Sequence, residues 1–146
     1  MEDKEIKSGI YNKGEIKLED IIKAVKNNPK IKESGAILTF TGIVRKTSED
    51  GKSVKGLKID AYNELANKTI NKICKETKKN PGIIDVKIVH LKGKFDITDD
   101  LVYVVVASAH REEGFEFLRD AVERYKKEVS VWKREEFLDG TSEWVH

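Results

Sequence analysis

Seven consecutive residues, 101–107, read L-V-Y-V-V-V-A without a single charge. A strand with one wet face alternates apolar and polar side chains. An unbroken apolar run therefore calls for a strand covered on both faces. S-A-H-R follows at once, and then a stretch in which Phe115, Leu118, Val122 and Tyr125 recur at helical spacing. A buried strand thus feeds a long helix and delivers His110 and Arg111 to its start. Lys126 falls near the far end of that helix, and Lys133 follows in V-W-K-R-E.

The rest of the chain supplies partners for this strand. A short strand is expected around residues 5–11. Leu18, Ile21, Ile22 and Val25 stand at i, i+3, i+4 and i+7, which predicts a helix over 18–28 that stops before Pro29. Residues 35–45 read as a strand, with Gly42 marking a bulge or a close approach. T-S-E-D-G-K-S (47–53) is a polar turn, and Leu57, Ile59 and Ala61 alternate with Lys58 and Asp60 as a half-buried strand. Asn63 is the expected N-cap of a helix with Ala66, Ile70, Ile73 and Thr77 on its buried stripe. Ile84, Val86 and Ile88 form the inner row of another strand, and Lys92-Gly93-Lys94 is expected to turn the chain into a short piece at 95–97. A hairpin around Asp139-Gly140 closes the sequence. Strands and helices in this order predict one α+β domain over 1–146, with a mostly antiparallel sheet and a long helix in its C-terminal half.

Composition excludes several classes. No apolar run approaches the roughly 20 residues needed to span a bilayer, and the N-terminus lacks a secretory core. One cysteine, Cys74, rules out an internal disulfide framework, so a cytoplasmic home is expected. Net charge is +2, and residues 110–135 hold seven Lys/Arg against seven Asp/Glu. Nucleic-acid binders present a clustered basic face, and this balance argues against one. His90, His110 and His146 are scattered, so no zinc-type spacing appears. There is neither a Walker loop nor a G-x-G-x-x-G fingerprint.

The nitrogen-bearing residues each admit a structural role and a chemical one. Arg111 opposes the usual preference for acids in the first helical turn, as a residue placed for an anion would, or it pairs with a nearby carboxylate. Lys126 suits the dipole at the helix end. Beside another cation or an apolar wall it would instead lose its proton near neutrality and serve as base or nucleophile. Strand alternation gives Lys133 the face of Val131 and Glu135, and turns Trp132 away into packing. Arg45 ends the strand that carries Gly42.

Four segments together resemble the large, catalytic subunit family of molybdopterin synthase (MoaE family). They are G-A-I-L-T-F-T-G-I-V-R (35–45), A-Y-x-x-x-A (61–66), A-S-A-H-R (107–111) and V-W-K-R-E (131–135), in family order over about residues 5–145. The resemblance implies an α/β-hammerhead type of α+β fold, a homodimer and no metal or cofactor. It also implies a partner, a small ubiquitin-like sulfur carrier ending in a Gly-Gly thiocarboxylate. The implied reaction is sulfur transfer to cyclic pyranopterin monophosphate, giving the dithiolene of molybdopterin. Lys126 and Lys133 match the family's lysines. Arg45, His110 and Arg111 match pocket residues, and Phe40 matches an apolar pocket position. Several members of that family carry a further arginine on a tail past the W-V element. The pocket here either lacks that phosphate ligand or draws on Arg134 or Lys127. A non-catalytic dimeric anion-binding scaffold is the alternative expectation.

Overall fold

A computed structural model describes residues 5–145 of the chain, so His146 lies outside the described residues. In chain order the elements are β1 (Gly9–Asn12), α1 (Leu18–Lys26), a 3-10 turn (Ile31–Glu33), β2 (Ala36–Ile43), β3 (Val54–Asp60), α2 (Asn63–Lys78), β4 (Ile83–Asp96), β5 (Asp100–Ser108), α3 (Arg111–Glu128), β6 (Trp132–Phe137) and β7 (Ser142–Val145). The sheet runs β2-β5-β4-β3-β6-β7, with β1 added parallel to β4 and the other pairings antiparallel. This is the expected α+β class with a mostly antiparallel sheet.

The uncharged run is the middle of β5, and every residue from Leu101 to Ser108 is buried. Paired residues of antiparallel strands share a face. Val86 and Ile88 therefore lie with Val106 and Val104 on one face, and His90 joins them opposite Val102. α2 and α3 cover this face and pack on each other, while α1 sets Ile21 and Val25, both fully buried, against β4 and β5. α1 starts cleanly because its Lys17 N–H donates to the Asp20 carboxylate at 2.9 Å, closing one free end of the helix.

Several local expectations change. The first strand begins at Gly9 rather than near residue 5. Tyr62, not Asn63, caps α2. Asn63 is its first residue, and its side-chain oxygen accepts from Lys92 Nζ at 3.2 Å. Lys92-Gly93-Lys94 makes no turn: β4 continues to Asp96, leaving β5 after His90 and pairing with β3 from Gly93. Gly93 takes a φ of +129°, open to glycine and costly for a side chain, and there one long strand passes from one half of the sheet to the other. Gly42 does sit at a register shift, and a Cβ there would press on Val102.

The expected stripe of α3 holds for Tyr125, which is buried, and for Leu118 and Val122, which pack half-buried on the core. Phe115 is 64% exposed instead, and Gly114 and Ala121 are buried beside them. A side chain at Gly114 would collide with Leu38 and Ser108, so small residues set the approach of helix to sheet. Trp132 does not pack inward either. It is 52% exposed on the outer face of the β6-β7 hairpin.

Candidate functional site

Lys133 is fixed from both sides. It pairs with Ile59 of β3 and with Val145 of β7, in the middle of the last three strands. Alternation gives Lys133 and Glu135 one face and Trp132 and Arg134 the other. On that outer face Arg134 Nε donates to Ser142 Oγ at 3.0 Å. α3 stops at Glu128, where extended Val129 caps it by donating its N–H to the Tyr125 carbonyl at 3.0 Å. The chain then doubles back into β6, which brings the last turn of the helix over Lys133. Lys126 and Lys133 thereby line one cavity of 290 Å³ together with His90, Tyr125, Val129, Val131, Val145 and Glu49. A smaller cavity of 170 Å³ adjoins it, sharing Glu49, Lys133 and Val145. Arg45 and Glu135 enter there, against an apolar wall that includes Val44, Leu57 and Leu101.

The electrostatics of this double cavity follow from burial and crowding. Burial, and then the neighbouring Lys126 ammonium, pull the proton affinity of Lys133 below that of an ordinary lysine, with Glu135 acting the other way. Burial raises the Glu135 carboxyl, helped by Glu143 and Glu49 and opposed by Arg45. His90 is 2% exposed, and burial pushes its imidazole down to about 4, with Lys133 adding to the effect. Its Nδ1 lies 3.0 Å from the carbonyl oxygen of Leu91. A carbonyl only accepts, so Nδ1 carries the proton and Nε2 keeps its lone pair. Tyr125 meets the imidazole edge-on, with ring centroids 6.0 Å apart, and burial pushes its hydroxyl up to about 12.

The depressed lysine has a measurable consequence. Between its lowered folded value and the usual 10.5, the folded chain binds fewer protons at Lys133 than the unfolded chain does, so stability rises with pH through that window. At neutral pH the charged lysine is a cost to the fold. Lys133→Met is expected to stabilise the chain at pH 7 by about 1 kcal/mol, with the gain shrinking toward about pH 11. Thermal melts at the two pH values check this, and a lower melting point at pH 7 would refute it.

The other expected residues divide. Arg45 reaches the smaller cavity, but Phe40 lines neither, being half-buried in β2 against the core. His110 and Arg111 stand at the opposite end of α3, about 22 Å along its axis from Lys126. They are largely exposed there. His110 Nδ1 lies 3.5 Å from Glu113, and Arg111 Nε lies 3.9 Å from Glu112. Exposed pairs of this kind hold a side chain weakly. Within one protomer, then, the strand-to-helix junction and the lysine pair are separate places.

Six walls of the larger cavity carried no site expectation from sequence: Glu49, His90, Tyr125, Val129, Val131 and Val145. Only His90 left a readable trace, an imidazole in the inward row of an apolar strand. Cys74 is buried, with Sγ 3.5 Å from Ser8 Oγ, and burial raises its thiol. Among the described residues no three His, Cys, Asp or Glu side chains gather as a metal site, and no helix is long and apolar enough to cross a membrane.

The molybdopterin synthase catalytic subunit of Pyricularia oryzae is 41% identical over 112 residues, 77% of this chain, and the matched part spans 61% of that relative's length. The protein of the same description from Thermoplasma volcanium is 38% identical over 112 residues, covering 77% of this chain and 81% of its own. The crystal structure of molybdopterin synthase from Staphylococcus aureus superposes with a TM-score of 0.82 at 31% identity, covering 95% of this chain and 96% of that one. A family model described as MoaE protein matches residues 11–128, which takes in Lys126, Arg45 and the His110-Arg111 junction and stops short of Lys133 and Arg134. With most of its length matched, the chain belongs to the MoaE protein family.

Proposed function

We propose that this chain is the catalytic subunit of a molybdopterin synthase, with residues 1–146 acting as one catalytic domain in the cytoplasm. It moves sulfur from the C-terminal Gly-Gly thiocarboxylate of a small ubiquitin-like carrier to cyclic pyranopterin monophosphate. The observation that carries this is the meeting in one cavity of Lys126 with a half-buried Lys133 whose proton affinity is lowered by burial and by Lys126. Opening a cyclic phosphate and replacing oxygen by sulfur at two carbons needs groups that give and take protons, and two crowded amines supply them. Lys126 acts as general acid and base, and its amine could also hold the substrate covalently. Lys133 holds the anionic end of the carrier tail or the substrate phosphate. Arg45, in the adjoining cavity, binds phosphate. Phe40 and Arg134 stay outside this site within one protomer: Phe40 packs on the core, and Arg134 holds Ser142 on the outer face.

His110 and Arg111 fit this reading through a homodimer. About 22 Å of helix separates them from their own Lys126, so the site they serve is the partner protomer's, with the phosphate at the N-terminus of α3. Purified chain mixed with thiocarboxylated carrier and substrate is expected to form the dithiolene, and absence of product would refute the assignment. Lys126→Ala and Arg111→Ala chains, each impaired alone, are expected to recover about a quarter of the wild-type rate when mixed, because half of the dimers are hybrids with one intact site. No recovery after verified subunit exchange would overturn the sharing of one site between protomers.

A further inference from the structure

We infer that His90 is a ligand-binding residue, whose Nε2 accepts a hydrogen bond from a backbone N–H of the peptide tail that enters the cavity beside Lys126 and Lys133. This rests on the sulfur-carrier reading above and adds a residue to it. His90 occupies the helix-facing row of β4 with Val86 and Ile88, a row that an apolar side chain would fill without cost. A buried imidazole is retained at a price unless its polar atoms are used. One nitrogen is used: Nδ1–H donates to the Leu91 carbonyl. Nε2 has no hydrogen-bond partner in the protein among the described residues and is not sealed in the core: the ring lines the cavity, where an incoming group can reach it.

Behind the mouth, Nε2 is the wall's side-chain atom that only accepts, since the Tyr125 hydroxyl can donate as well as accept. Lysine ammonium groups only donate, so Lys126 and Lys133 suit the tail's carbonyl and carboxylate-type oxygens and can do nothing for its N–H groups. Val129, Val131 and Val145 offer no polar side-chain atom. Glu49 sits exposed on the turn at the mouth. A peptide N–H drawn from water into such a cavity needs an acceptor, and an unpaired one costs more than an ordinary hydrogen bond returns. A neutral imidazole held by Leu91 and by the edge of Tyr125 offers an acceptor already in place.

The test uses a carrier with an ordinary Gly-Gly carboxylate, and two versions in which the penultimate or the terminal glycine is sarcosine and so lacks its N–H. Each is titrated calorimetrically into wild type, His90→Phe and His90→Gln. In wild type one of the sarcosine carriers is expected to bind about 5-fold more weakly. His90→Phe should weaken the Gly-Gly carrier by a similar factor and show no further loss with that sarcosine. His90→Gln, which keeps an acceptor oxygen, should recover part of the affinity. Equal binding of all three carriers to wild type overturns the inference even if His90→Phe fails to fold, and so does an undiminished sarcosine penalty in His90→Phe. Failure of wild type to bind the Gly-Gly carrier is a separate result, which removes the carrier reading and this inference with it.

Discussion

Lys126→Ala is expected to lower dithiolene formation by about 100-fold or more, the range that loss of a positioned acid or base produces, with little change in thermal stability. The contrast between the two readouts follows from where the residue sits. Lys126 is exposed at the last turn of α3, one wall of the 290 Å³ cavity. It makes no contact that the core depends on, and its contribution to the helix dipole amounts to a few tenths of a kcal/mol. Lys126→Arg keeps that charge and fills similar space, yet a guanidinium cannot give up its proton near neutral pH. If Lys126 exchanges protons, the arginine variant should be nearly as inactive as the alanine variant while binding carrier normally. If Lys126 only supplies charge, arginine should restore most of the rate. A rate within a few-fold of wild type for Lys126→Ala would take it out of the chemistry altogether.

Ile88→Ala is expected to cost about 3 kcal/mol and to lower the melting temperature by about 10 °C. Ile88 is fully buried, lies opposite Val104 of β5, faces the α2-α3 layer, and donates its N–H to Ser8 Oγ at 3.1 Å. Removing its outer carbons leaves a hole at the one strand that joins both halves of the sheet. Against a total stability of roughly 5–15 kcal/mol this is a large fraction. Ile88→Val, which deletes a single carbon, should cost about 1 kcal/mol. Chemical denaturation of both variants checks the ratio, and near-equal losses would mean that the site collapses around the gap instead of keeping it.

How much of the site could be read along the chain differs by residue. Lys126 and Lys133 were legible as candidates because motif and spacing put them near a helix end and a strand. Their meeting was not, because it depends on Val129 ending the helix and on β6 doubling back to pair with β3. His110 and Arg111 looked like members of the same cluster, being close to Lys126 in sequence. A helix converts fifteen residues into about 22 Å, and it carries the two ends apart. Along the chain His90 is one of three scattered histidines without zinc-type spacing, and nothing local marks it as part of a site. Its importance lies in a cavity formed by residues from distant parts of the chain. The turn expected at Lys92-Gly93-Lys94 failed for a related reason: glycine permits both a reversal and a bend within a strand, and only the strands on either side decide which occurs.

What the sequence determined by itself were the features that local chemistry fixes. An uncharged seven-residue run has to be a strand covered on both faces, since neither of its faces tolerates water, and β5 is buried throughout. The helical spacing of α1 and α2, the Asp-Gly turns and the α+β class follow from the same local rules. The tertiary structure decided which faces meet. It set the seating of α3 on Gly114 and Ala121, the passage of β4 between two halves of the sheet, and the closing of β6 over the helix end. Those are choices among long-range contacts of similar apolar character, settled by shape and by the few polar groups that must be paired. That is why the lysine pair and the imidazole behind it become one site only in the folded chain.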